Sequence, residues 1–449
     1  MPTNPSIYIA AVKNVVEYSQ DAEFLDQVLP YARRAMNYLL YQLQGEEGLI
    51  STENLVGHYN KGLHTKGSGM ASGYWNVLAM PTVNIYANIY FYDALVAMSY
   101  LEKMAEFYNV ENFSEVVTTE DIKNDKVYTY SQTGESLDAL AEKCKTKMQT
   151  EFWNEETGRF HAGCYDTSAG GVQDHGYLFF NEQLIASGIA TQEQTESVMK
   201  WINGEREIAS DESRGEDIYY FEFAPRFNTD DVETDLYWGY STTWNGNVQN
   251  GGAALHQSYY DLLAQAAVNK DTSFTRLKNI QQWYEKVQTA GGEGLDFYRE
   301  YYKDIPDMPL QGNDTQGILG LDFEWLEAAL LFAAVPDAYF GLSADYNNTL
   351  CVEPSLPTSL DFWKIENLTF NGYYYDLSIG HYFVEISDIL EYKDGSGSEN
   401  AEIRIVFDKP SFDFKLYLDD KETSDYVISG DQLIITIPFE DIKVEIKKV

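Results

Sequence analysis

Apolar residues recur every three or four positions from residue 6 to residue 335, and then alternate with polar ones to the end of the chain. Phe24, Leu25, Val28, Leu29, Ala32 and Met36 predict a helix within 22–45. Ala87, Tyr90, Phe91, Ala94, Leu95, Met98 and Leu101 share one face of a longer helix over 82–108. Leu137, Leu140, Ala141, Cys144, Met148 and Phe152 do the same over 134–153. Further helices fit 6–19, 179–190, 192–203, 251–268, 272–289 and 317–335, so the elements read as hairpins. Long loops rich in glycine and aromatic residues separate them, at 52–81, 155–177, 204–250 and 290–316. Loops of that length in a compact domain usually carry function. Near residue 350 the proline-punctuated "EPSLPTSL" ends the helical pattern. Short alternating runs follow, including "YFVEIS", "AEIRIVF", "FKLYLD", "QLIITIP" and "KVEIKKV". The expected fold is mainly α, with a helical hairpin array over 1–345 and no parallel sheet in the first 340 residues, then an antiparallel β-sandwich over 350–449.

Charge narrows the partners. The 71 acidic residues against 31 lysines and arginines give a formal charge of −40. A field of that sign disfavours nucleic acid, an anionic membrane or a polyanionic substrate, and suits a neutral ligand. No apolar run reaches the roughly 18 residues that span a bilayer. The start "MPTNPSIYIAAVKNVVEYSQ" lacks a signal-peptide pattern, so a cytoplasmic location is expected if that start is native. Cys144, Cys164 and Cys351 are too few and too scattered for a disulfide framework or a zinc site, and Cys144 falls on an apolar helical face. No two of the six histidines stand at His-x3-His spacing, and no P-loop, dinucleotide or G-x-S-x-G pattern occurs, so no cofactor is expected. The 35 tyrosines, 23 phenylalanines and 8 tryptophans would serve a core, and equally suit stacking on sugar rings.

Three loops concentrate polar and aromatic residues. "GMASGYWNVLAM", 69–80, sets Tyr74, Trp75 and Asn76 among glycines, either to face a ligand or to pack on the helix at 82. "WNGNVQNGGAALHQ", 244–257, places Trp244, Gln249 and Asn250 ahead of two glycines and a helix. Amides there suit sugar hydroxyls, although Asn250 alone could be a helix cap. "DFYREYYKD", 296–304, puts Glu300 among Tyr298, Tyr301 and Tyr302, ahead of "LQGNDTQG" with Gln311. A carboxylate so placed could be a general base or merely half of a surface ion pair. Asp174, Glu216 and Asp217 are further candidate carboxylates in the central loops.

In this order the loops resemble those of six-hairpin, (α/α)6-toroid glycoside hydrolases: trehalases, processing α-glucosidases and α-rhamnosidase-like enzymes. "SGYWN" resembles their acid-bearing loop, "NVQNGGAALHQ" a substrate loop and "YREYYKD" the stretch with the general base. "LQGNDTQGILGLDFEWLEAALL" resembles the lead into the last toroid helix, and "LPTSLDFWKIENLTFNGYYYDLSI" the following sandwich. The resemblance implies hydrolysis of a neutral oligosaccharide or glycoside; such enzymes are mostly inverting, which sets the carboxyls roughly 6.5–9.5 Å apart. Glu300 would be the base. Tyr74, Trp75, Asn76, Trp244, Gln249, Asn250 and Gln311 would line the subsite. The chain departs from the pattern twice. It holds nearer ten helices than twelve, and Asn76 stands where the family carries its acid. The resemblance then leaves Asp217 as the expected acid, with Asp174 the other candidate and otherwise part of the lining. A glycoside phosphorylase and a non-catalytic sugar-binding protein on the same scaffold are the alternatives. A polysaccharide lyase would need a basic cleft that these loops lack.

Overall fold

The computed structural model describes residues 3–52, 81–121, 124–164, 171–232, 243–290, 297–311, 317–321, 329–392 and 400–449. Among them the helices are α1 (Asn4–Ser19), α2 (Ala22–Asn37), α3 (Ile85–Tyr108), α4 (Gly134–Glu151), α5 (Leu178–Ala186), α6 (Gln192–Ile202), α7 (Gln257–Val268), α8 (Lys270–Thr289), α9 (Phe297–Tyr302) and α10 (Leu330–Val335). Their starts follow local chemistry. Asp21, Asn84, Thr133, Thr191 and Asn269 each accept a backbone N–H at the head of α2, α3, α4, α6 and α8, satisfying donors that a helix start leaves open.

The helices form a toroid-like, two-layer array. α3, α5 and α7 are buried on nearly every side, as an inner layer requires. α3 packs on α1, α4 and α5, while α7 packs on α5, α8 and α10. α2, α4, α6 and α8 are outer helices with one buried stripe each. On α8 that stripe is Ser273, Arg276, Ile280, Trp283 and Val287. One apolar core runs through α1 to α6, and a second joins α7, α8 and α9 through Leu262, Ile280, Trp283 and Tyr302.

Some expected boundaries need correcting. The run 251–268 becomes helical only at Gln257, and its start holds β5 (Ala253–Ala254). The run 317–335 opens with β6 (Leu319–Gly320), which pairs in parallel with β5, so the helical region does contain one two-residue parallel ladder. Glycine is the reason. A Cβ on Gly252 would lie 2.2 Å from the Ile318 carbonyl oxygen, so only glycine admits this approach. The hairpin of β1 (Thr118–Asp121) and β2 (Lys126–Thr129), and the pair β3 (Trp153–Asn154) and β4 (Arg159–Phe160), add short antiparallel ribbons.

The last part is a two-sheet sandwich. β7 (Ser343–Asp345) and β8 (Thr349–Val352) precede the proline-rich break, followed by β9 (Phe362–Phe370), β10 (Tyr373–Gly380), β11 (Phe383–Glu391), β12 (Glu402–Asp408), β13 (Phe414–Leu418), β14 (Lys421–Thr423), β15 (Val427–Ser429), β16 (Gln432–Pro438) and β17 (Ile442–Lys448). One sheet runs β14-β13-β17-β11-β10-β9 and the other β15-β16-β12-β8-β7. All pairings are antiparallel except β8 with β12. The alternation is plain in β17, where Ile442, Val444 and Ile446 face inward. The sandwich rests on the C-terminal ends of inner helices. Asn371 N–H donates to the Tyr18 carbonyl at 2.8 Å, and Ala266 of α7 joins the sandwich core. The opposite, N-terminal ends of α3, α5 and α7 are left to the long loops.

Candidate active site

α3, α5 and α7 are each entered from a long loop, and at that end the loops are sewn together mainly through their backbones. Ile85 N–H donates to the Ala162 carbonyl at 3.0 Å, and Ala162 N–H to that of Gln173 at 2.8 Å. Leu178 N–H reaches the Phe227 carbonyl at 3.0 Å, and Asp230 N–H that of His175 at 3.0 Å. Phe227 N–H reaches the Gly252 carbonyl at 2.7 Å, and Gly251 N–H the Asn228 Oδ1 at 2.7 Å. Ala253 N–H donates to Ile318 at 2.9 Å, and Gln311 N–H to Leu319 at 3.0 Å. The described parts of five loop segments, 81–85, 161–164 with 171–178, 226–232, 247–255, and 309–311 with 317–320, are thus joined over the inner helix ends.

Gln249 and Asn250 lie in this face, both buried. Asn250 does not cap a helix. Its Nδ2 donates to Asp231 Oδ1 at 2.8 Å and its Oδ1 accepts from Val232 N–H at 3.2 Å, so it fastens two loops. Gln311 joins the face through its backbone, and its enclosed Oε1 has no hydrogen-bond partner among the described residues. Tyr74, Trp75 and Asn76 lie outside the described residues.

Two expected site carboxylates are engaged by arginines. Asp217 sits on the 3₁₀ turn Gly215–Tyr219, with its oxygens 3.0 and 3.1 Å from Arg226 Nε and Nη2. Arg226 also donates to Asn245 Oδ1 at 2.9 Å and to the Gly251 carbonyl. Tyr220, Phe221 and Trp244 surround its guanidinium. Trp244 therefore covers a structural arginine. Asp174 is partly buried, with its side chain 8% exposed, and accepts from Arg159 Nε at 2.6 Å, Thr157 Oγ1 at 2.6 Å and Asn154 Nδ2 at 2.8 Å. Arg159 reaches on to Asp211 at 2.6 Å and Thr229 Oγ1 at 3.1 Å. Such pairs fix loops; with both oxygens engaged, neither carboxylate is placed to carry a proton to a ligand.

Glu300 is half-exposed on α9, where Lys303, three residues on, is its ion-pair partner. The helix is anchored to α8 by Trp283 Nε1–H donating to Tyr302 Oη at 2.8 Å and by the stacking of Trp283 on Tyr298.

One carboxylate that the loop patterns do not single out stands in the sewn face. Asp230 is 31% exposed, 3.8 Å from His175 Nδ1. Burial, helped by the charge of Asp211, pushes its carboxyl above the ordinary range, and His175 opposes that. Its only sequence signal is the acid pair in "RFNTDDV", which reads as an ordinary loop. Burial pushes the His161 imidazole below its ordinary value, and the charge of Asp174 opposes this. Among the described residues no cluster of histidine, cysteine and carboxylate could hold a metal ion.

No protein family and no curated protein matches the chain. Solved structures do resemble it. An α-L-rhamnosidase from Dictyoglumus thermophilum is 12% identical with a TM-score of 0.43, over 99% of this chain and 39% of its own. A GH78 family rhamnosidase of Bacillus sp. GL1 is 13% identical with a TM-score of 0.45, over 84% of this chain and 30% of its own. A putative kojibiose phosphorylase from human microbiome is 11% identical with a TM-score of 0.39, over 96% and 46%. The chain thus spans only about a third of the rhamnosidases' length. At these identities the likeness carries no residue-by-residue correspondence. Among the described residues no helix is long and apolar enough to cross a membrane.

Proposed function

We propose that the sewn loop face is the active site of an enzyme acting on a neutral glycoside, most simply by inverting hydrolysis. The observation that carries this reading is the convergence of five loop segments over the N-terminal ends of the inner helices. Asp230 lies within that face, partly exposed and inclined to keep its proton. A carboxyl that holds its proton is the form required of a general acid. Asp230 therefore replaces Asp217 as the proposed acid, because Asp217 already has both oxygens on Arg226. Glu300 remains the proposed base, since its partner Lys303 is itself 55% exposed and free to yield to a substrate. Gln249, Asn250 and Gln311 belong to the proposed lining, with Tyr74, Trp75 and Asn76 as its expected aromatic and amide part. Asp174 and Trp244 support the lining from behind. We also propose that the chain divides near residue 345 into this catalytic part and the sandwich.

The test is product formation from a panel of glycosides, with and without phosphate, by wild type and by Asp230→Asn, Glu300→Gln, Asp217→Asn and Asn76→Asp. Loss of a general acid or base costs roughly 10²–10⁴-fold, so Asp230→Asn and Glu300→Gln should fall by that much while still binding sugar. Full activity in Asp230→Asn sinks the acid assignment. A requirement for phosphate turns the reading into a phosphorylase. Sugar binding by every variant with turnover by none, Asn76→Asp included, leaves a binding protein.

A further inference from the structure

Directly beneath the loop face, Glu182 in the second turn of α5 meets Gln257 at the first turn of α7. Both are buried, Glu182 at 0% and Gln257 at 1% exposure. Gln257 Nε2 donates to Glu182 Oε2 at 3.3 Å and to the Arg226 carbonyl at 3.3 Å. The other oxygen of each group, Glu182 Oε1 and Gln257 Oε1, is enclosed with no partner among the described residues. Two buried acceptors left open on adjoining groups are costly, and a single proton placed between them would satisfy both.

The surroundings favour that proton. Burial pushes the Glu182 carboxyl well above the ordinary range, and the charge of Asp261 on α7 adds to it. Arg276 on α8 opposes this from a distance, but its guanidinium is committed to Asp261 at 3.2 Å. Tyr219, from the 215–219 turn, spends its hydroxyl on Asp261 at 2.7 Å. On α3, Tyr86 and Tyr90 hydrogen-bond to each other at 3.2 Å. α6 presents its ionisable residues Glu193, Glu196 and Lys200 to solvent. No cation among these elements is aimed at Glu182.

We propose that Glu182 and Gln257 form a closed acid–amide pair, in which Glu182 donates its O–H to Gln257 Oε1 and accepts from Gln257 Nε2, and that this pair holds the Arg226 carbonyl beneath the segment carrying Asp230. Glu182 is then a positioning residue. It touches no ligand and acts through Gln257 and the 226–230 backbone. The inference stands apart from the proposed activity, since it concerns where one proton resides in the resting protein.

Glu182→Gln tests it, because an amide supplies the same donor and acceptor without a titrating proton. Infrared difference spectra at neutral pH should show the carbonyl band of an un-ionised carboxylic acid in wild type that is missing from Glu182→Gln. The pH dependence of stability gives a second readout. The unfolded chain releases this proton near its ordinary value of about 4.3, whereas the folded chain keeps it. Wild type and variant should therefore be similarly stable near that pH. Above it, wild type should lose about tenfold in its folding constant relative to the variant for each further pH unit, until folded Glu182 ionises. Parallel stability profiles, or a carboxylate band lost in place of an acid band, overturn the pairing. So does a Glu182→Gln protein that cannot fold, since the amide provides both hydrogen bonds.

Discussion

Removing the Arg159 guanidinium should destabilise the protein more than almost any other single polar change, and the reason is countable. Arg159 is 1% exposed and lies between Asp211, at 0%, and Asp174, at 8%. Its nitrogens reach Asp174 Oδ1 at 2.6 Å, Asp211 Oδ2 at 2.6 Å, Asp211 Oδ1 at 3.1 Å and Thr229 Oγ1 at 3.1 Å. The guanidinium also stands 4.7 Å from the Trp201 ring. Arg159→Met keeps the apolar stem and deletes the charge, leaving two enclosed carboxylates facing each other's field. Breaking one buried pair costs about 3–5 kcal/mol, and here Asp211 has no solvent to turn to. The expected loss is therefore at least that range, measured as a fall in the urea midpoint at unchanged slope. Adding Asp211→Asn should return part of it, with a coupling of roughly 0.5–3 kcal/mol. A loss below about 1 kcal/mol in Arg159→Met, or strict additivity with Asp211→Asn, would refute the claim that this arginine holds the loop face together.

Two further outcomes follow from the same face. Gly252→Ala places a Cβ 2.2 Å from the Ile318 carbonyl oxygen and must part β5 from β6, so it should cost about 1–3 kcal/mol in unfolding experiments; unchanged stability would mean that the ladder bears no weight. Burial pushes the His256 imidazole down to about 4, so the folded state loses stability as pH falls from about 6.5 through that value. His256→Asn should remove that component of the acid dependence, on the order of 3 kcal/mol across the window, and identical pH profiles would contradict it.

The helices and the sandwich were legible because their information is local. Leu25, Leu29, Ala32 and Met36 on α2, and Leu433, Ile435 and Ile437 on β16, mark their buried faces by spacing alone. What spacing could not convey was a loop whose fold depends on a distant partner. "GGAA" and "GILG" look like helix beginnings, yet Gly252 lets the Ile318 backbone approach too closely for a helix to start there. Asp217 and Trp244 look ready for a ligand in isolation. Their positions are set by Arg226, nine residues from one and eighteen from the other, and no local pattern announces that choice. Asp230 is silent in the sequence for the converse reason. Two acids in a turn carry no signal until the fold brings His175 beside one and Asn250 beside the other.

An excess of acids over bases makes the placement of arginine informative. With 31 cations for 71 carboxylates, a buried guanidinium committed to an aspartate marks an acid whose charge is needed for structure. Arg226 so commits Asp217, Arg159 commits Asp174 and Asp211, and Arg276 commits Asp261. Among the described residues, the ion-pair partners of Asp230 and Glu300 are groups that can yield, an imidazole at 3.8 Å and an exposed lysine. Asp217→Asn and Asp230→Asn should therefore have opposite phenotypes. The first removes a partner of Arg226 from a carboxylate that is 43% exposed, so the loss is about 1 kcal/mol of stability, with turnover largely kept. The second leaves the loop network intact, since Asp230 enters it through its backbone N–H, and removes a proton donor worth roughly 10²–10⁴-fold in rate. Paired measurements of urea midpoint and glycoside turnover on the two variants separate the roles. If Asp217→Asn loses turnover at unchanged stability while Asp230→Asn does the reverse, then arginine pairing does not distinguish structural acids from chemical ones in this fold.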